Sequence, residues 1–289
     1  MKICKGCNSR YYSSSWVCPK CNYVPMFQSG HYQLDSIHGK SNGFQQETFA
    51  KLFEIEASNF WFRSRNHLII WALKQYFEEA KKMLEIGCGT GFVLSGINKA
   101  FPKLSLTGSD IFSAGLVFAA KRMNDVEIIQ FDASSIPFEH EFDIIGAFDV
   151  LEHIEDDNKV IKQMYQATAK GGGIIITVPQ HQFLWSQADE QACHKRRYSA
   201  KELKNIVSSA GFYVCRCTSF VSLLFPAMFL SRLLKKNHGE GDEIFDELRL
   251  PGYLNYAFEK ILSFERLMIS FGVNIPFGGS LLLIARKVD

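Results

Sequence analysis

Residues 84–91, reading Leu84-Glu85-Ile86-Gly87-Cys88-Gly89-Thr90-Gly91, decide how the rest of this chain is read. An apolar run that begins just after Lys81 and Lys82 ends in three glycines spaced G-x-G-x-G, and a helix-like segment, 92–100, follows at once. This is the pattern of a buried strand, a tight turn where backbone comes close to a ligand, and a helix N-terminus. A nucleotide-like ligand suits such a turn. The dinucleotide fingerprint G-x-G-x-x-G is not met, because Phe92 stands where the third glycine would be. No Lys-Ser/Thr pair follows the turn, so it is not a P-loop either.

With Glu85 two residues before Gly87, the stretch becomes E-x-G-x-G-x-G. It resembles motif I of the class I S-adenosylmethionine (SAM) dependent methyltransferases. SAM carries a sulfonium, an ammonium and a carboxylate but no phosphate, and an acid beside close-approaching glycine amides suits that ligand. The resemblance implies a cofactor site that includes Glu85, Gly87, Cys88, Gly89 and Gly91.

An alternating βα ladder follows, as expected for a parallel sheet. The second strand, 105–110, ends in Asp110, where an acid can accept hydrogen bonds from ribose hydroxyls. The third, 127–132, ends in Asp132, and in the enzymes resembled an acid here faces the adenine amino group. Both acids could equally be helix N-caps. Ile111, Ala133, Phe148 and Asp149 complete the implied cofactor set. The fourth strand spans 142–149, a helix 158–169, the fifth strand 171–179, a helix 199–210, the sixth strand 211–220 and the last 278–287. The expected fold is α/β: a Rossmann-like, seven-stranded methyltransferase sheet, mostly parallel, with an antiparallel last strand.

The chain divides in this reading into a zinc ribbon (1–30), a linker and N-terminal helical lid (31–80), a SAM-binding core (81–220), a helical insertion (221–277) and the last core strand (278–289). Cys4, Cys7, Cys18 and Cys21 form C-x2-C-x10-C-x2-C, two thiolate knuckles that complete a tetrahedral zinc shell. Four thiolates leave no open position, so the metal is expected to be structural. The tract FWFRSRNHLIIW, 60–71, sets Arg63 and Arg65 behind three aromatics. It is either a core-packing helix with solvated arginines or a lid in which an arginine meets a carboxylate. Within the insertion, residues 221–236 are apolar with Pro226 inside and Arg232, Lys235 and Lys236 at the end. Such a segment can lie in a membrane interface, cap the substrate pocket or bury a homodimer face.

A formal net charge of +2 over 289 residues supplies no field for nucleic acid, and no basic stripe appears. No apolar run is long enough to span a bilayer, the start of the chain lacks a signal-like apolar region, and the eight cysteines suit a reducing compartment. A cytoplasmic protein, working in solution or at the inner face of the membrane, is expected.

Methyl transfer is an in-line displacement in which the protein supplies proximity, orientation and a base. Candidate bases should follow the fourth and fifth strands. Asp149-Val150-Leu151-Glu152-His153 follows the fourth; His181, Trp185, Asp189, Glu190 and His194-Lys195-Arg196-Arg197-Tyr198 follow the fifth. His153 and His194 are the expected bases, with Arg197, beside Arg196, to grip an anionic group of the acceptor. Alternatively, Glu152 and His153 only orient the helix that follows. D-x-x-E-H also resembles the E-x-x-E-H of small-RNA 2′-O-methyltransferases and of the O-methyltransferases of ubiquinone biosynthesis. In those, acids and two histidines hold a divalent cation; here the first acid is Asp149 and the second histidine would be His181 or His194. That resemblance implies Mg2+ as a further cofactor.

From residue 60 to 286 the chain resembles bacterial SAM methyltransferases that carry a zinc ribbon, through LEIGCGTG, AFDVLEHI, VPQH, HKRRY and PFGGSLLL. The expected reaction is O-methylation of a small or lipid-linked acceptor. C-methylation of a nucleotide-linked sugar, and a SAM-binding regulator or scaffold without turnover, are the alternatives.

Overall fold

The computed structural model describes residues 1–35, 46–235 and 250–288. Its strands are β1 Lys2–Ile3, β2 Arg10–Tyr11, β3 Met26–Gln28, β4 His31–Gln33, β5 Lys82–Ile86, β6 Ser105–Asp110, β7 Glu127–Gln130, β8 Phe142–Phe148, β9 Thr168–Pro179, β10 Phe212–Phe220 and β11 Ser280–Lys287. β1 and β2 form a small ladder; the others form one nine-stranded sheet, ordered β10-β11-β9-β8-β5-β6-β7-β4-β3. From β7 to β9 neighbours run parallel, and β11 lies antiparallel between β9 and β10. The mostly parallel Rossmann-like sheet expected from the glycine turn is therefore present, widened by two N-terminal strands.

The centre of the sheet is apolar on both sides because both faces are covered. Ile144 and Ile145 of β8, and Ile174, Ile175 and Ile176 of β9, are fully buried. Such unbroken runs belong to parallel strands sandwiched between helices. On one face lie α5 (Asp157–Ala167) and α7 (Ala200–Ser209), which bring Val160, Met164, Leu203 and Val207 into a core shared with Trp16. On the other lie α2 (Phe60–Tyr76), α3 (Phe92–Ala100), α4 (Ser113–Arg122) and α9 (Gly252–Ser270), through Leu68, Ile69, Leu94, Leu116 and Leu262. α1 (Gln46–Ile55) precedes α2, α6 (Gln187–Gln191) follows β9, and α8 (Phe225–Lys235) follows β10. Caps fix several starts: Asn59 accepts the Trp61 N–H at 2.8 Å ahead of α2, and Ser199 and Glu202 form a capping box on α7.

One expectation changes. Residues 31–35 are not linker: β4 pairs with β7, Tyr32 opposite Ile129, and the Leu34 N–H donates to the Gln130 carbonyl at 3.0 Å. Buried His31 and Leu34 draw that segment against the sheet edge. Residues 36–45, also assigned to the linker, lie outside the described residues, as do 236–249 of the insertion. The insertion's described part consists mainly of α8 and α9, and α9 packs along α2, where Arg63 pairs with Glu259 at 2.6 Å. No helix among the described residues is long and apolar enough to cross a membrane.

Candidate active site

The carboxyl ends of β5, β6 and β7 carry the glycine turn and its acids. Gly87 has φ +66°, and a Cβ there would stand 2.4 Å from Val150 Cγ2, so only glycine fits. At Gly89, φ +51°, a Cβ would make only ordinary van der Waals contact with the Phe49 ring, at 3.7 Å. Asp110 sits across the turn: one carboxylate oxygen accepts the Gly89 N–H at 3.0 Å, the other the Phe112 N–H at 2.8 Å. Burial pushes Asp110 up to about 6 despite those bonds. Asp132 caps a short 3-10 turn by accepting the Ser134 N–H at 2.7 Å, and Ala133 beside it is buried. Both acids therefore brace their own loops at the ends of neighbouring strands.

Glu85 is buried within β5, and one of its carboxylate oxygens has no hydrogen-bond partner among the described residues. Burial pushes its carboxyl up to about 8, with nearby Asp110 adding to the rise and Arg65 opposing it. Asp149, at φ +57°, turns the chain out of β8 and forms an ion pair with Arg65. Arg65 lies 4.4 Å from the Trp61 ring centroid, in cation–π range. It is thus neither solvated nor merely packed. Its charge is matched by that of Asp149, while burial pushes both nearby acids, Glu85 and Glu152, toward their neutral forms.

The end of the sheet beyond β8 and β9 is built differently. Glu152 is completely buried and neither carboxylate oxygen has a hydrogen-bond partner among the described residues. Burial, reinforced by Asp149, raises its carboxyl well above the usual range. His194 stands with Nε2 4.0 Å from Glu152 Oε1, and its Nδ1 meets Asp189 Oδ1 at 2.8 Å. The hydrogen bonds from His194 and the charge of Arg197 hold Asp189 well below the ordinary carboxylate range, against the opposing effect of burial. The His194 Nδ1–H therefore donates to Asp189, and Nε2 is left as an acceptor on the Glu152 side. His153 packs edge-on against His194, ring centroids 4.7 Å apart, and burial, then His194, lowers it to about 3. The donor atoms of Glu152, His153 and His194 all lie within 4.8 Å of one another.

Other expected groups go elsewhere. Arg197 does not reach for an acceptor: its Nε and Nη2 grip Asp189 at 2.8 and 3.0 Å, and Nη1 donates to the Gln180 carbonyl. Arg196 is spent on Asp157, 3.0 Å away. Of the two candidate histidines, His194 joins the cluster and His181 does not; its ring packs against those of Phe183 and Phe277, centroids 5.0 and 4.3 Å away. Phe148 is buried at the end of β8 and Cys88 beneath the turn, while Ile111 is exposed. Sequence reasoning missed Glu56, whose carboxylate accepts the Thr90 hydroxyl at 2.8 Å and pairs with Arg122. A signal existed: Glu56 sits on the apolar spacing of Phe49, Leu52 and Phe53, where a solvated acid has no place.

A family model described as a methyltransferase domain matches residues 57–216. The chain is 26% identical over 145 residues to the malonyl-[acyl-carrier protein] O-methyltransferase of Bacillus cereus, covering 48% of this chain and 51% of that protein. It is 28% identical over 156 residues to the ajmaline N-methyltransferase of Rauvolfia serpentina, 52% of each chain. It thus spans about half the length of the curated relatives it matches. Among solved structures, phosphoethanolamine N-methyltransferase 2 of Haemonchus contortus, in complex with S-adenosyl-L-methionine, superposes with TM-score 0.57 at 19% identity, over 85% of this chain and 58% of that one.

Proposed function

The chain belongs to the methyltransferase-domain family, and from that premise we propose that it moves the methyl group of SAM onto an oxygen of a small or lipid-linked acceptor. The observation that carries the oxygen is the array Asp189–His194–Glu152. Asp189 fixes the His194 tautomer, so Nε2 can take the proton of an acceptor hydroxyl as the methyl is transferred in line. An amine acceptor, once neutral, would need no such base. Glu152, kept neutral by burial, can donate a hydrogen bond that orients the acceptor. His194 is favoured over His153 as base because His153, lowered to about 3, holds a proton too weakly.

Glu85, Gly87, Cys88, Gly89, Gly91, Asp110, Ile111, Asp132, Ala133, Phe148 and Asp149 are the residues we assign to SAM. The positive φ of Gly87, Gly89 and Gly91, with room at Gly89 for all but the Phe49 ring, and the partnerless Glu85 oxygen support this set. SAM supplies the electrophilic methyl; the chain binds and orients it, with Glu85 and Asp149 as the acids that meet its cationic groups.

A greasy acceptor is supported by the aromatic lip beyond β9. Phe183 and Phe277 stack at 17° with centroids 6.1 Å apart, Phe225 packs on Phe277, and Leu223, Phe229 and Leu230 are exposed beside them. The same lip suits peripheral contact with a membrane surface, readable by flotation with anionic vesicles, or a homodimer face, readable by sedimentation.

A second reading, with a divalent cation at Glu152, His153 and His194, is favoured by their common distance and by the two partnerless carboxylate oxygens. Two imidazoles and one carboxylate suit Mn2+, Fe2+ or Zn2+ better than the Mg2+ implied by the resemblance. Asp149 is held by Arg65 and is not in that set. Such an ion would lower the pKa of an acceptor hydroxyl.

Incubation of cell extract with the protein and methyl-labelled SAM tests the proposal. Label in an ester or ether of an organic-soluble product is expected. Label in an amine or on carbon, or SAM binding without transfer, would contradict it. Removal and return of Mn2+ during that assay separates the two mechanisms.

A further inference from the structure

The N-terminal module meets the sheet through a residue framed by its own thiolates. The Sγ atoms of Cys4 and Cys21 stand 3.6 Å apart, and those of Cys7 and Cys18 3.8 Å. A zinc tetrahedron with bonds near 2.3 Å has edges of about 3.8 Å, so the four thiols fit that ion. Lys5 lies inside the first knuckle. Its ammonium stands 3.0 Å from Asp35 Oδ1 and donates to the Ser135 carbonyl at 2.9 Å and hydroxyl at 3.1 Å. Asp35 Oδ2 in turn accepts the Asp132 N–H at 2.9 Å. The Asp35 N–H donates to the Gln130 side chain at 3.2 Å, and that amide's other end donates to the Ile111 carbonyl at 3.3 Å. Every link ends on residues that flank Asp110 or Asp132.

We propose that the thiolate-bound metal sets cofactor affinity: by fixing Lys5 it holds Asp35 against the loop at 132–135, the adenine end of the SAM site. This rests on the reading of that loop as part of the cofactor site. Beyond the β1–β2 ladder and the Ile3 N–H bond to the Pro137 carbonyl, the module has little to hold its knuckles. Its own buried cluster is Cys4, Tyr11 and Cys18, too small to fix a knuckle without a metal. Loss of the ion frees Lys5, leaving the Asp35 charge without its cation beside Asp132 and the Asp132 amide without a fixed acceptor. The module stays attached meanwhile, because Trp16 is seated in the sheet's core, edge-on to Phe138 at 5.6 Å, and bonds Glu127 at 2.9 Å. The ribbon is then an adjustable wall of the site, with its metal as the adjusting group.

Titration of SAM into the full chain, before and after zinc is stripped with a mercurial and a chelator, tests this. One zinc per chain is expected at the start, and Kd is expected to rise at least tenfold when it is gone, with the core's cooperative thermal transition retained. Lys5→Met, which keeps every thiol, is expected to retain zinc and raise Kd several-fold, whereas Lys20→Met on the exposed second knuckle changes neither. If stripping unfolds the chain, Lys5→Met decides. Unchanged SAM affinity in the zinc-bearing Lys5→Met protein overturns the coupling. A wild-type protein that binds no SAM overturns instead the cofactor assignment on which it rests.

Discussion

The two ends of the sheet's open edge are finished to different degrees. On the side of β5, β6 and β7, the polar atoms of Asp110 and Asp132 are met by backbone N–H groups, and a glycine holds its shape by a contact that tolerates no Cβ. On the side of β8 and β9, Glu152 is fully buried with both oxygens partnerless among the described residues, and His181 Nε2 likewise. A partnerless buried polar group costs about 1–3 kcal/mol. A fold retains such a cost where a ligand will meet the group; on the proposed reading the cofactor half, the Glu85 oxygen apart, is preformed, and the acceptor half is completed by its substrate or by an ion.

The largest effect should come from spoiling the preformed half. Gly87→Ala sets a Cβ against Val150 at a positive φ, and about 2–4 kcal/mol of lost stability is expected together with loss of SAM binding. Val150→Ala in the same chain should restore part of the thermal midpoint; failure to do so would mean the turn is not shaped by that contact. Next in size is His194→Gln. Turnover should fall by about 10²–10⁴-fold while SAM affinity changes less than about twofold; equal losses in both would merge the halves.

A smaller effect concerns protons. Glu85, pushed up to about 8 by burial, is mostly protonated at neutral pH, and the folded chain binds more protons than the unfolded one between the ordinary carboxylate range and that value. Its contribution to stability therefore falls as pH rises through that window. A cationic cofactor favours the carboxylate, so SAM binding should release up to one proton near pH 7 and tighten as pH rises toward 8. Calorimetry in two buffers of different ionisation heat reads the release; a Glu85→Gln protein that releases as many protons would exclude Glu85 as the source. The smallest effect is expected from Phe183→Ser on the exposed lip: unchanged SAM affinity, and a several-fold rise in the acceptor's KM that vanishes if the acceptor is hydrophilic.

The same contrast explains what the sequence disclosed. Residues 84–91, Asp110 and Asp132 were legible because a turn at positive φ and acids at strand ends leave fixed spacings in the chain. The Cys4–Cys7–Cys18–Cys21 set was legible for the same reason, and the thiols do converge. The roles of Arg197 and His181 were not, because both depend on which neighbour folding brings: Asp189 captures one, Phe183 and Phe277 the other. β4 escaped because three residues in a polar stretch carry too little periodicity, although burial of His31 and pairing with β7 place it in the sheet. Asp35, which links ribbon and loop, had no local signal at all.

Glu152→Ala separates the halves most directly. SAM titrated into that protein, with methyl transfer from labelled SAM followed on the same sample, is expected to give wild-type affinity within about twofold, transfer reduced at least about a hundredfold, and a thermal midpoint no lower than wild type, because a partnerless buried group has been removed. Unimpaired transfer, or SAM affinity lost in step with transfer, would contradict a site whose cofactor half is complete before the acceptor arrives.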